Sequence, residues 1–182
     1  MVARDPVNPR AHAGLGYAYL DAERWDEVIA QLGTALSLSP GRIYGNFAIG
    51  EALLQKGEPE AALAAFQQES FEALRLRGLA LAYHALGRAA ESDGTLAELI
   101  DMHEQGGAYD IAPVLAFRGE TDRAFEWLDW AVEYKNPALL YSTRQVEFAN
   151  IHDDPRWLPF LESIGMSPEQ LAAINFEVRL PQ

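Results

Sequence analysis

Cysteine is absent from this chain. That excludes a disulfide framework, a thiolate zinc site and a thiol nucleophile. Positive charge is scarce: 14 Lys and Arg stand against 27 Asp and Glu, a net charge of −13 with the histidines neutral. So acidic a balance argues against nucleic-acid phosphates or an anionic lipid surface as the main partner, because like charges repel at long range. No apolar run approaches the roughly 20 residues that span a bilayer. The opening Met-Val-Ala-Arg-Asp-Pro-Val-Asn-Pro has no apolar signal core, so a cytoplasmic location is expected. What is present is globular in kind. Nearly half of the 182 residues are apolar, enough for one domain with a sizeable core.

A repeat runs through the first three quarters of the chain. Asp5-Pro6 and Ser39-Pro40 stand 34 residues apart, and so do Gly16 and Gly50. Both glycines fall inside apolar-periodic helical stretches, where glycine costs roughly 1 kcal/mol relative to alanine. Close approach of a neighbouring helix explains such a cost. The periodicity predicts paired helices. Arg10 to Ala22 precedes a helix opened by Trp25-Asp26-Glu27. Ile43 to Lys56 then precedes one from Pro59 to about Ser70, with Pro59 in the first turn, where its missing N–H is tolerated. A third unit places Leu76, Leu79, Ala80 and Tyr83 before Gly87. A fourth places Ala108, Ile111, Ala112 and Leu115 before Gly119. Pro113 breaks the pattern, which predicts a helix that bends there or begins only near it.

These anchors resemble the tetratricopeptide repeat, with its period of about 34 and its W-x2-L-G-x2-Y…A-x3-F…P pattern. The first unit carries Leu15, Gly16, Tyr19, Ala35 and Pro40, with Val28 and Leu32 as apolar substitutes. The second carries Ile49, Gly50, Leu53, Ala62 and Phe66. The third carries Leu79, Ala80 and Tyr83, and the fourth Ile111, Ala112, Ala124 and Ala131. The resemblance implies an all-α, right-handed superhelix of about four helix pairs over residues 1–136. Its repeats would span about 9–42, 43–72, 73–104 and 105–136. Residues 137–182 would then form a C-terminal capping segment with an extended tail. The run Ala124 to Ala131, then Asn136-Pro137 and Asp153-Asp154-Pro155-Arg156-Trp157, is similar to the close of the repeat regions that end bacterial signalling proteins. In those proteins a cyclase or winged-helix domain lies upstream, so the resemblance implies a sensor arm of something larger.

In this family the first helices of the repeats line a concave groove that holds a peptide. Carried over by position, the groove residues here include Arg10, Tyr17, Asp21, Tyr44, Phe47, Glu51, Arg77, His84 and Tyr109. Their aromatic share suits an apolar or aromatic peptide, with Arg10 and Arg77 available for a carboxylate. The Lys-Asn-Arg clamp by which related domains hold chaperone tails is replaced by Ala13, Tyr17 and Phe47, which argues against that partner. Some of the aromatics have a second reading, as packing between adjacent repeats.

No catalytic constellation stands out. His12, His84, His103 and His152 form no i, i+4 pair. There is no HExxH, GxSxG, P-loop or GxGxxG. His152-Asp153-Asp154 reads as a helix-start cluster ahead of Pro155. Neither an enzyme nor a cofactor or metal site is expected. Arg156 to Ser163 predicts a short amphipathic helix, Ser167-Pro168-Glu169 starts another, and Ile174 to Leu180 alternates like a strand. Trp127 and Trp130 are expected to hold this tail. The function expected is thus a non-catalytic interaction module for a peptide or protein partner. The alternatives are a small-molecule sensor, which an enclosed apolar pocket with convergent polar groups would favour, and self-association of two copies through the tail.

Overall fold

The computed structural model describes residues 5–102 and 107–174, and these residues contain helices and no β-strand. Eight helices come first: α1 (Pro9–Asp21), α2 (Trp25–Leu38), α3 (Gly45–Gln55), α4 (Pro59–Gln67), α5 (Glu72–Ala85), α6 (Ala89–Met102), α7 (Ala108–Phe117) and α8 (Thr121–Glu133). Two 3-10 helices, Pro137–Arg144 and Val146–Ile151, lead to α9 (Trp157–Ser163) and α10 (Pro168–Ala172). The alternating stretch Ile174 to Leu180 lies, beyond Ile174, outside the described residues, as does His103.

From α1 to α8 each odd-numbered helix packs on the even-numbered helix that follows it, and α2, α4 and α6 each pack on the next odd one. The odd helices also touch across the pairs, α1 with α3, α3 with α5 and α5 with α7. A left-handed residue ends the first helix of every pair: Glu23, Gly57, Gly87 and Gly119, at intervals of 34, 30 and 32 residues. Glycine takes that conformation without steric cost, whereas at Glu23 it costs about 1–2 kcal/mol.

The helical glycines mark close approaches. A Cβ on Gly16 would meet the Leu32 side chain at 2.7 Å. The Phe66 ring of α4 is wedged between α3 and α5: a Cβ on Gly50 would come within 2.4 Å of it, and one on Gly78 within 2.1 Å. Phe66 itself is fully buried and stands 5.4 Å from the Phe47 ring. Burying an aromatic side chain of this size contributes about 1.5–3 kcal/mol.

Pro113 neither starts nor ends its helix. The α7 helix begins five residues earlier, at Ala108, and carries a buried Pro113 in its interior. Tertiary burial on every side of α7 outweighs the one lost hydrogen bond, since Ala108 to Ala116 are buried apart from Asp110. The Ser167 start is present as a full capping box with Gln170. At 152–154, Asp154 accepts from the Arg156 backbone N–H at 2.9 Å, just ahead of α9.

The chain after α8 does more than cover the last helix pair. Leu139, Phe148, Ile151, Trp157, Phe160 and Leu161 are all buried and join the core formed by α3 to α8. The 3-10 helix Val146–Ile151 lies against α7, where the Asn150 amide donates to the carbonyls of Ala116 and Phe117. Residues 137–151 thereby return across the odd-numbered helices, and the space left beneath them is the candidate site. Of the tryptophans, Trp127 packs against the core, while Trp130 beside it is half exposed.

Candidate ligand cleft

A cleft of about 450 Å3 lies between the odd-numbered helices and the returning segment. Helix α1 supplies Tyr17, Leu20 and Asp21, and Trp25 begins α2. Tyr44 and Glu51 come from the start and middle of α3, Leu74 and Arg77 from α5, and Tyr109 and Asp110 from α7. The 3-10 segment closes it with Ala138, Tyr141, Arg144, Gln145 and Val146. The cleft grades from wet to dry. Asp21, Tyr141 and Arg144 at the mouth are exposed, whereas Glu51, Arg77 and Tyr109 on the floor are buried.

The floor is a buried polar network. Arg77 Nη2 donates to Glu147 Oε1 at 2.6 Å, with both side chains almost wholly buried, and Arg77 Nη1 stands 3.8 Å from Asp110 Oδ1. The Arg77 guanidinium also covers the Phe47 ring, 4.9 Å from its centre. Such a cation is held by charge on one side and a π face on the other. The Tyr44 hydroxyl donates to Glu51 Oε2 at 3.1 Å. Burial first, and then the nearby Glu147 charge, hold the Glu51 carboxyl well above the usual carboxylate range. Burial also pushes the Tyr44 and Tyr109 hydroxyls upward. The Tyr109 hydroxyl accepts from Ser142 at 3.3 Å, tying the returning segment to α7.

Tyr44 is held in an unusual backbone conformation. Its φ of 71° is left-handed, a region that a bulky residue occupies at a cost of about 1–3 kcal/mol. That conformation turns its ring onto Phe47, 5.4 Å away and stacked, and toward Tyr17 at 5.7 Å. At the mouth, Arg144 pairs with Asp21 through Nε–H to Oδ1 at 3.0 Å and a second, closer contact.

Six of the nine residues named from the sequence meet in this cleft: Tyr17, Asp21, Tyr44, Glu51, Arg77 and Tyr109. Phe47 lies beneath the floor and is wholly buried, so it packs between helices and supports Arg77 and Tyr44. Arg10 is exposed on the first turn of α1 and His84 near the end of α5, and neither lines the cleft. The His84 ring meets Phe117 edge-on at 5.9 Å. Arg77 does hold a carboxylate, but one supplied by its own chain. The sequence did not single out Trp25, Asp110, Tyr141, Arg144, Gln145 or Glu147. An apolar pattern at Leu139, Val146, Phe148 and Ile151 was the available sign that this stretch packs inward.

Among the described residues no group of three His, Asp or Glu side chains is arranged to hold a metal ion, and no helix is long and apolar enough to cross a membrane. No protein-family model matches the chain, and no curated protein matches it.

Proposed function

We propose that this protein is a non-catalytic receptor for a small molecule, built on a tetratricopeptide-type superhelix of four helix pairs. The repeat reading is supported by the left-handed turn after each first helix and by the glycines beneath Leu32 and Phe66. One observation carries the functional reading: residues 137–151 lie over the odd-numbered helices and reduce the inner face to a cleft of about 450 Å3. That volume falls within the range of small-ligand sites, and its mixture of aromatic walls with few polar groups is typical of them. A peptide partner, which the repeat resemblance implies, would reach Glu51, Arg77 and Tyr109 only after that segment left. Departure would break the buried Arg77–Glu147 pair and expose Phe148 and Ile151.

The test is thermal denaturation against a panel of metabolites, with a Leu74→Trp variant whose larger side chain fills the cleft. A compound at about a hundred times its Kd stabilises the native state by about 2.7 kcal/mol. The expected outcome is a compound that raises the Tm of the parent and leaves that of the variant unchanged. Equal shifts in both proteins would place binding elsewhere and reject the reading.

A further inference from the structure

We infer that the cleft receives an organic cation: a protonated or quaternary amine joined to an apolar group, with its charge beside Glu51 and Asp110 and its apolar part against the tyrosine rings. The inference rests on the small-molecule reading above and specifies its ligand class.

The charges in and under the cleft do not balance. Asp21, Glu51 and Asp110 line it and Glu147 lies directly beneath, four carboxyl groups against the two guanidinium groups of Arg77 and Arg144. Both guanidinium groups are already engaged, Arg144 by Asp21 and Arg77 by Glu147. Asp110 shares Arg77 at 3.8 Å, and among the described residues Glu51 has no cationic partner of its own. Three residues face it or shape its field: Tyr44 ahead of α3, Arg77 from α5 and Glu147 from the 3-10 segment, while Asp110 on α7 stands beside Arg77. Among the described residues no Lys, Arg or His forms an ion pair with Glu51. Asp21, Asp110 and Glu147 alone outnumber the two guanidinium groups of the lining, and an incoming anion would find both of these already paired. An incoming cation would complete the set.

The walls point the same way. Tyr17, Trp25, Tyr44, Tyr109 and Tyr141 line the cleft, and the faces of such rings attract a desolvated cation. The net charge of −13 also draws cations toward the molecule. Entry has a chemical signature. Burial raises the Glu51 carboxyl, and an ammonium group beside it favours the carboxylate, so binding shifts Glu51 toward release of its proton to solvent.

The test uses three probes with the same ring and similar length: phenethylamine, phenylacetate and 2-phenylethanol. Titration calorimetry at pH 7 in phosphate and in Tris, whose ionisation heats differ, counts the protons released. Phenethylamine is expected to bind about tenfold more tightly than phenylacetate and to release protons. In Glu51→Gln that release should vanish and the affinity should fall. Tyr141→Ala changes only a half-exposed ring at the mouth and leaves the buried floor intact, so its fold is not at risk. It is expected to weaken phenethylamine severalfold. Equal or tighter binding of phenylacetate or 2-phenylethanol would overturn the ligand class and leave the small-molecule reading standing. Phenethylamine binding that neither variant alters would also overturn the inference. No saturable binding of any probe would count against both.

Discussion

Arg77 and Glu147 are separated by 70 positions in the sequence and by 2.6 Å in the structure, each with almost no exposed surface. Their pairing fixes where the chain goes after the last helix pair. With Asp110 3.8 Å from Arg77, and with Glu51 close enough to feel the Glu147 charge, it joins α3, α5, α7 and the returning 3-10 segment in one buried network. A network of this kind stabilises only while it is complete, because each member left alone is a buried charge.

Arg77→Met should therefore be among the most damaging single substitutions. It removes the one guanidinium among three carboxyl groups, and breaking a buried pair costs about 3–5 kcal/mol. The double variant Arg77→Met, Glu147→Met should recover a large part of that loss. Urea unfolding followed by circular dichroism measures both. A single variant as stable as the parent would show that the pair does not hold the segment down.

Two glycines should respond to alanine in opposite directions. At Gly78 the new methyl would stand 2.1 Å from the Phe66 ring, and overpacking of this kind costs about 1–3 kcal/mol. At Gly94, inside α6, nothing lies within 4 Å, so alanine should add about 0.5–1 kcal/mol through helix propensity. Thermal melts of the two variants side by side decide the matter. Equal shifts would mean that Phe66 does not sit between α3 and α5 as described.

How much of this was legible in the sequence differs sharply between local and distant relationships. Helix boundaries, the turn at each Gly, the Ser167 capping box and the crowding at Gly16 and Gly50 all follow from spacing within about 34 residues. Gly78 makes the same approach as Gly50 but falls outside the repeat pattern, because Phe66 serves both neighbours. The cleft floor was half legible. Position in the repeat pointed to Tyr44, Glu51, Arg77 and Tyr109, but nothing local pairs Arg77 with Glu147 or Asp21 with Arg144. Burial likewise decided against surface roles at Phe47, which the groove pattern alone leaves open.

The pH dependence of stability should carry the mark of Glu51. Its carboxyl is raised in the folded protein, so its contribution is fully present below the unfolded value of about 4.3 and is lost as pH rises through the folded value. Asp154 works the other way. The Arg156 side chain holds it down to about 2, so its contribution is present above the usual Asp value and is lost as pH falls toward 2. Stability should thus fall from mildly acidic to alkaline pH in the parent, and fall less in Glu51→Gln. Urea midpoints at pH 5, 7 and 9 measure the difference. Parallel curves for the two proteins would contradict a Glu51 carboxyl raised by burial.

The most direct measurement is hydrogen exchange along residues 137–151, read by mass spectrometry on the unliganded protein. If this segment forms the wall of the cleft, its amides should exchange about as slowly as those of α5 and α7, and should speed up in Arg77→Met. Exchange at the rate of an open loop in the parent would contradict the closed cleft. The inner faces of α1, α3, α5 and α7 would then be free for a peptide partner.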